Sequence, residues 1–185
     1  MKRLFVAIKI LPTEHFLAIY YQILKQFENE SIKWVIPQNM HLTLKFFGET
    51  AEDRIPEIEG VLSSVFVNYR PFQFHIEGIG IFGSSYRPRV IWFGIHQGDD
   101  IKKMARDLHK KLEIVGFEND RQNFVPHLTV GRIKKELIHK RSFQQKIDPF
   151  NSQFIQDVKV NEVILYESIL KPTGPVYKVV NCFKL

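Results

Sequence analysis

The chain has 185 residues, of which 44% are hydrophobic and 25% charged, and this composition is typical of a globular protein of ordinary domain size. Cys182 is the only cysteine, which excludes an intrachain disulfide and a cysteine-based metal cluster and fits a reducing cytoplasm. No apolar run has the length of a signal-peptide core or a membrane span. We therefore expect one domain over residues 1–185, located in the cytoplasm and not in a membrane. The formal net charge of +6 suits a polyanionic partner such as nucleic acid, although it also occurs in proteins that are merely soluble.

Hydrophobic periodicity predicts alternating strands and helices in the first half of the chain. Strands are predicted where short apolar or alternating runs end at proline or glycine, at residues 4–10, 32–36, 41–47 and 72–76. Helices with one apolar face are predicted from residues 12–14 to about residue 27, and at residues 53–66. Gly78, Gly80 and Gly83 predict a loop after the fourth strand.

The second half of the chain repeats part of this order. A strand at residues 89–95 precedes a helix that ends near Gly116, and residues 121–132 contain the next strand. Residues 134–146 are basic and weakly patterned, and fit either a helix or a loop. Strands at 158–165 and 177–183 follow, with a turn at 172–175 between them. The repeated order of strand, helix and strand predicts an α+β protein of two pseudo-symmetric lobes, each an antiparallel sheet with helices, on either side of a central cleft.

One short motif occurs once in each half. The sequence HLTL begins at His41, and HLTV begins at His127. Because side chains alternate along a strand, the histidine and threonine of each copy share one face, and the two aliphatic residues share the other. With 7 histidines and 5 threonines, chance alone gives roughly 0.2 such His-x-Thr spacings in the chain. Two copies with matching aliphatic neighbours therefore indicate a function.

Paired histidines and threonines suit phosphodiester chemistry. One imidazole can accept a proton from a nucleophile while the other donates a proton to a leaving group, since the ordinary pKa of histidine lies near working pH. The hydroxyl groups of Thr43 and Thr129 can donate hydrogen bonds to phosphate oxygens and stabilise charge in the transition state. None of the other histidines forms a metal-ligand spacing, so we expect neither a metal nor another cofactor.

The motifs and their surroundings resemble a known family. The chain is similar to the 2H phosphoesterase superfamily, which has paired H-x-[ST]-x motifs, and within it to the RNA 2′,3′-cyclic phosphodiesterases, also called 2′-5′ RNA ligases. The resemblance extends over nearly the whole chain, through RLFVAI (3–8), WVIP (34–37), HLTLKFFG (41–48), RVIW (89–92), PHLTVGR (126–132), LYES (165–168) and GPVY (174–177).

This resemblance implies hydrolysis of 2′,3′-cyclic phosphate ends of RNA to 2′-phosphomonoesters without a metal. It implies that His41 donates a proton to the departing 3′-oxygen and that His127 activates the water. It further implies that Thr43, Thr129 and Arg132 hold the phosphate. The motifs themselves are too nearly symmetric to assign the two histidine roles. We expect the protein to be a monomer.

Strict alternation along the second motif strand conflicts with the role of Arg132. It places Arg132 on the core face with Leu128 and Val130, unless the strand ends there or a bulge at Gly131 turns the side chain toward the cleft. The same alternation places Lys45 on the face of His41, so Lys45 is a second candidate for binding the phosphate. For both residues the alternative is a solvated surface charge.

Other residues have ordinary interpretations. Histidines 15, 75, 96, 109 and 139 lack a threonine partner and are predicted to be structural. Phe46, Phe47, Tyr86 and Tyr166 could stack a base, but packing in the core is the simpler expectation. Three alternative functions stay open: action on another cyclic nucleotide, ligation by the reverse reaction, and RNA binding without catalysis.

Overall fold

The computed structural model describes residues 1–84, 87–118, 124–138 and 140–185. Within these ranges the chain forms nine β-strands and four α-helices. The strands are β1 (Lys2–Lys9), β2 (Ile32–Trp34), β3 (His41–Thr50), β4 (Phe72–Ser84), β5 (Arg87–His96), β6 (His127–Ile133), β7 (Phe154–Val160), β8 (Glu162–Lys171) and β9 (Gly174–Lys184). The helices are α1 (Glu14–Gln26), α2 (Ile55–Phe66), α3 (Asp99–Ile114) and α4 (Lys140–Ile147).

The strands form two antiparallel sheets. One sheet has the order β3-β1-β8-β9, and the other has the order β2-β6-β5-β4-β7. The two motif strands, β3 and β6, belong to different sheets and lie against each other. This arrangement confirms the predicted α+β class with two antiparallel lobes.

The predicted internal repeat is visible in the pairing of the strands. β1 pairs with β3 and α1 lies between them in sequence, while β5 pairs with β6 and α3 lies between those two. In both units the sheet contributes one face to the core, and the helix buries its apolar face. Each lobe therefore delivers one His-x-Thr strand from the same kind of unit.

The helices form where their patterns predict. The Thr13 hydroxyl caps α1 by accepting a hydrogen bond from the backbone N–H of Phe16 at 3.2 Å. In α3, Asp99 and Asp100 lie in the first turn, where the helix dipole favours negative charge. The buried face of α3 consists of the predicted residues Ile101, Met104, Ala105, Leu108 and Leu112. In the part of the chain that the structure describes, no helix is both long and apolar enough to span a membrane.

The predicted loop at Gly78–Gly83 is wrong, because β4 continues to Ser84, although its pairing with β5 is irregular between Ile76 and Ile79 and at Gly83. The glycines are needed for close approach instead. A Cβ atom on Gly80 would lie 2.2 Å from the Trp92 ring, and one on Gly78 would lie 2.4 Å from the Asn151 carbonyl. Glycine in a strand is ambiguous, since it marks either a break or a neighbour that packs directly against the backbone.

Other segments can also be compared with their predicted boundaries. The first motif strand continues through Gly48, whose φ of +73° accommodates an irregularity, and ends at Thr50. The predicted strand at 158–165 is two strands that meet at Asn161. The segment 134–146 contains the start of α4. The start of the predicted segment 121–132 lies partly outside the described residues.

Candidate active site

The cleft between β3 and β6 contains both motifs. It has a volume of about 630 Å³, which is within the range of small-molecule sites. His41, Thr43, His127 and Thr129 all line it. Neither threonine hydroxyl forms a hydrogen bond with another described side chain or backbone group, so both are available to a ligand.

The two histidines are oriented by equivalent hydrogen bonds. His41 Nδ1 lies 2.7 Å from the Asn39 carbonyl, and His127 Nδ1 lies 2.8 Å from the Val125 carbonyl, in each case two residues earlier in the chain. A carbonyl oxygen can only accept, so Nδ1 bears the hydrogen and Nε2 of the neutral ring has the free lone pair. Each Nε2 can therefore take up or release a proton.

Aromatic rings pack against both imidazoles. The ring centroid of His41 lies 4.8 Å from that of Phe5 and 5.1 Å from that of Tyr177. His127 has its own pair, with Phe82 at 4.7 Å and Trp92 at 6.5 Å. The four aromatic rings limit rotation of the imidazoles and remove water from their outer sides.

Burial and nearby positive charge lower the pKa of both histidines and so favour their neutral forms. Burial is the largest cause that lowers the pKa of His41 below its ordinary value of 6.5, and the charges of Arg132 and His127 lower it further. Burial and the charge of Arg132 lower the pKa of His127 in the same direction. The hydrogen bonds to the two carbonyls oppose these shifts only in part.

Arg132 reaches the cleft because β6 contains a bulge. In the pairing of β5 with β6, Trp92 lies opposite Thr129 and Ile91 lies opposite Gly131, so Val130 is an extra residue. The extra residue reverses the alternation, and Arg132 becomes exposed and lines the cleft. Its guanidinium group forms no ion pair with a described residue, which leaves its charge available to an anion.

The electrostatic character of the cleft is positive. Arg3, Lys33 and Lys134 line it together with Arg132, and no carboxylate does so among the described residues. Cations without nearby acids attract a phosphate and compensate the charge that develops on it during reaction. The sequence did not single out Arg3, Lys33 or Lys134, because many basic side chains of this chain are simply exposed.

Comparison with known proteins places the chain in a family. The model of the 2′-5′ RNA ligase superfamily matches residues 18–169. The chain belongs to this superfamily. The RNA 2′,3′-cyclic phosphodiesterase of Archaeoglobus fulgidus is 36% identical over 163 residues, which are 88% of this chain and 89% of that protein. A protein of the same name from Methanocaldococcus jannaschii is 32% identical over 178 residues, 96% of this chain and 98% of its own length.

The fold of this 2′-5′ RNA ligase superfamily member is also found in solved structures. The crystal structure of the Thermus thermophilus protein TT0787 matches it with a TM-score of 0.80 and 26% sequence identity. The match covers 99% of this chain and 97% of that one. The two-lobed architecture therefore extends over the whole length of both proteins.

The expectation that Lys45 shares the face of His41 is wrong. β3 contains a bulge equivalent to that in β6: Ala7 lies opposite Thr43 and Val6 lies opposite Lys45, so Leu44 is the extra residue. Lys45 is turned away from the cleft and is only 5% exposed, and its Nζ donates a hydrogen bond to the Glu118 carbonyl at 2.8 Å. The structure therefore places it in a structural position.

The aromatic candidates separate into two groups. Phe46 lines the cleft and is 44% exposed, with the Arg3 guanidinium 5.0 Å from its ring centroid. Phe47 packs edge-on against Phe117, and Tyr166 is buried against Phe5, so core packing is confirmed for both. The remaining candidate, Tyr86, lies outside the described residues.

Four other histidines have structural contacts away from the cleft. His109 Nε2 donates to the Leu44 carbonyl at 3.1 Å, and His15 lies 3.3 Å from the Phe154 carbonyl. His75 pairs with Asp157 and lies opposite His96 in the sheet. His139 is outside the described residues, and among those that are described no group of three or more histidine, cysteine or acidic side chains could hold a metal ion.

Sequence reasoning missed the residues that orient the imidazoles. Phe82 and Trp92 come from β4 and β5, far from His127 in sequence, and no local pattern links them to it. Asn39 has a second role, because its side-chain amide donates to the Pro175 carbonyl at 2.9 Å and fixes the start of β9 against the loop before β3. The sequence does contain one signal for these contacts, since each motif follows a loop that contains a proline. The backbone of that loop supplies the carbonyl that accepts from Nδ1 of the histidine.

Proposed function

We propose that this protein is an RNA 2′,3′-cyclic phosphodiesterase that opens the cyclic phosphate to a 2′-phosphomonoester by paired-histidine catalysis. The observation that supports this function best is the pair of imidazoles in one positive cleft, each with Nδ1 bonded to a carbonyl and Nε2 available. Relatives with this name match the chain over most of its length.

The reaction needs one proton acceptor and one proton donor. Water attacks phosphorus while Nε2 of His127 takes its proton, and the bond between phosphorus and the 3′-oxygen breaks while Nε2 of His41 supplies a proton to that oxygen. The products are a 2′-phosphate and a free 3′-hydroxyl group. The assignment of the two roles follows the family resemblance, since the geometry of the two histidines is nearly equivalent.

Substrate binding changes the proton balance of the site. Both imidazoles are neutral in the free protein at pH 7 because both pKa values are lowered. A phosphate anion next to Arg132 compensates its charge and stabilises an imidazolium, so the bound substrate raises the pKa of the proton donor. Thr43 and Thr129 then donate to the non-bridging oxygens, while Arg132 neutralises their charge.

The cleft also indicates how the nucleoside is held. Phe46 presents its ring to the cleft on the side of the first motif, whereas Arg132 lies on the side of the second. We assign the base to the ring of Phe46 and the phosphate to Arg132. Because all of these groups come from one chain, we propose that the protein acts as a monomer; action on RNA in the cytoplasm is part of the same proposal.

A direct test is to incubate the protein with 2′,3′-cyclic nucleotides and with an oligonucleotide that ends in a 2′,3′-cyclic phosphate. We expect 2′-phosphomonoester products, identified by phosphorus NMR, and product formation about 10²–10⁴-fold slower with the His41→Ala protein. A 3′-phosphate product would reverse the assigned leaving group. Joining of a second strand with a 5′-hydroxyl group in place of hydrolysis would favour ligation, and binding without turnover would favour an RNA-binding module.

The proposed mechanism requires no Lewis acid. We expect the initial rate in EDTA to equal the rate in untreated buffer within measurement error, because proton transfer and charge compensation come from side chains. The control is a known magnesium-dependent phosphodiesterase in the same buffer. Loss of turnover in EDTA that zinc or magnesium restores would contradict the metal-free reaction.

A further inference from the structure

A second groove begins at the catalytic cleft. It has a volume of about 600 Å³ and shares His127 with the cleft. Arg87, Arg89 and Val90 of β5 line it, and we call it the arginine groove. Val90 lies directly opposite Arg132 in the pairing of β5 with β6, so the groove adjoins the phosphate-binding side of the cleft.

The arginine groove presents uncompensated positive charge. Arg87 and Arg89 are exposed, and neither guanidinium group forms an ion pair with a described residue. No carboxylate lines the groove in the described part of the chain. Both arginines also border a smaller hollow that two lysines, Lys134 and Lys135, and one carboxylate, Glu136, line, and Lys134 lines the cleft as well. A line of cations therefore leads outward from the cleft on the side of His127.

The opposite side of the cleft has a different character. The hollow next to His41 has about half the volume of the arginine groove, about 330 Å³, and its lining includes Glu162, Lys9 and Tyr177. The Glu162 carboxylate is bonded to Lys184, so that lysine is already paired. A chain of phosphates would meet one lysine and one carboxylate on this side, and on the other side two exposed guanidinium groups that form no ion pair with a described residue.

We propose that the arginine groove binds the phosphodiester backbone of single-stranded RNA next to the reacting end. This inference rests on the proposed function and makes its substrate an RNA strand, with a single nucleotide as a poorer substrate. Phosphates repeat along a strand, and guanidinium groups bind them without selecting a base. The groove therefore contributes affinity that depends on strand length and salt but not on sequence.

Two strands could supply this backbone: the strand that bears the cyclic phosphate, or a second strand that brings a 5′-hydroxyl group to the site. The experiment separates them by two rates. The first is kcat/KM for a hexanucleotide with a cyclic phosphate end relative to that for a cyclic mononucleotide. The second is the rate of mononucleotide hydrolysis in the presence of a hexanucleotide with 5′- and 3′-hydroxyl ends.

The test variant is Arg87→Glu/Arg89→Glu, and Arg87→Gln/Arg89→Gln serves if the reversal disturbs folding. We expect the hexanucleotide to lose about ten-fold or more in kcat/KM, and its log–log salt slope to fall by about 1.4 for two lost phosphate contacts. If the second strand is the occupant, the loss appears as weaker inhibition by the hydroxyl-ended hexanucleotide instead. Hydrolysis of the mononucleotide should stay unchanged in either case.

The matched control is Arg70→Glu/Lys110→Glu, which makes the same change in net charge at exposed positions outside the cleft and the groove. An equal loss of kcat/KM in this control would show a general effect of net charge and would contradict the proposed role of the arginine groove. Unchanged length dependence and inhibition in the Arg87/Arg89 variant would also overturn it. If the wild-type protein hydrolyses neither the cyclic mononucleotide nor the cyclic-phosphate-ended hexanucleotide, the proposed function fails, which is a distinguishable result.

Discussion

The two motif strands share one pattern of buried and exposed positions over seven residues but differ in the side chains at some of them. From His41 to Phe47 and from His127 to Ile133 the order of buried and exposed residues is the same. Both strands have an extra residue directly after the threonine, and in both the histidine donates from Nδ1 to the carbonyl two residues earlier. The backbone of each lobe therefore presents its imidazole and hydroxyl in the same way.

The strands differ at the two positions that follow the bulge. Lys45 in β3 corresponds to Gly131 in β6, and Phe46 corresponds to Arg132. The exposed member of each strand lines the cleft, so one lobe contributes an aromatic ring where the other contributes a cation. Symmetric positions suit proton transfer in both directions, and asymmetric positions suit a substrate with a base at one end and a phosphate at the other.

The largest expected effect comes from the symmetric positions. His41→Ala and His127→Ala should each lower kcat/KM by about 10²–10⁴-fold, the usual contribution of a positioned general acid or base. Because both protons move in one coupled reaction, the double variant should lose much less than the product of the two single losses. Unfolding curves should show that all three variants are folded, and near-native turnover in either single variant would contradict the paired mechanism.

The pH profile sharpens this prediction. kcat/KM needs one imidazole neutral and the other protonated, so it rises above the lower pKa of the free enzyme and falls above the higher one. Both pKa values are lowered from 6.5, so the maximum should lie below pH 6.5. The kcat profile should be displaced to higher pH, since the bound phosphate raises the pKa of the donor. Each single variant should lose one limb.

The motifs allowed the paired histidines, the threonines and the two-lobed fold to be predicted from sequence, because period-two alternation and the repeat are local signals. The bulges were not equally visible. Gly131 is a residue that often marks a bulge, and it allowed Arg132 to be considered for the cleft. Leu44 gives no such signal, so alternation placed Lys45 on the wrong face. The rings of Phe82 and Trp92 depend on strand pairing between distant segments, which no local pattern reveals.

The next largest effect is expected at Arg132, the cation that has no counterpart in the first motif strand. Arg132→Ala should weaken transition-state binding by about 1–3 kcal/mol, the range of a charge-assisted hydrogen bond. Arg132 lowers the pKa of both histidines, so its removal should also move both limbs of the kcat/KM profile to higher pH. Arg70→Ala, at an exposed position away from the cleft, is the control. A lower kcat/KM with unmoved limbs would place Arg132 farther from the imidazoles than the structure does.

Lys45 should affect stability and leave catalysis nearly unchanged. Lys45→Met keeps an unbranched side chain, one heavy atom shorter, but removes the donor to the Glu118 carbonyl, so the free energy of unfolding should fall by about 1–3 kcal/mol. For a protein of this size each kcal/mol lowers Tm by roughly 2–4 °C. The KM for a cyclic nucleotide should not change. If kcat/KM fell as it does in Arg132→Ala while Tm did not change, Lys45 would bind the substrate phosphate. That result would contradict the bulge in β3.

The smallest effect is expected at Phe46, the counterpart of Arg132. Phe46→Leu keeps an apolar side chain and removes the ring, so it should raise KM by a few-fold, near the lower end of the roughly 1–3 kcal/mol measured for base stacking. The increase should be larger for cyclic purine than for cyclic pyrimidine nucleotides, because purines offer more surface to the ring, and kcat should not change. Phe47→Leu is the matched control, since Phe47 packs against Phe117 and should lower Tm without changing KM. If Phe46→Leu instead changed kcat and moved the limbs of the kcat/KM pH profile, the ring would lie near the reacting phosphate. In that case one lobe would not bind the base while the other binds the phosphate.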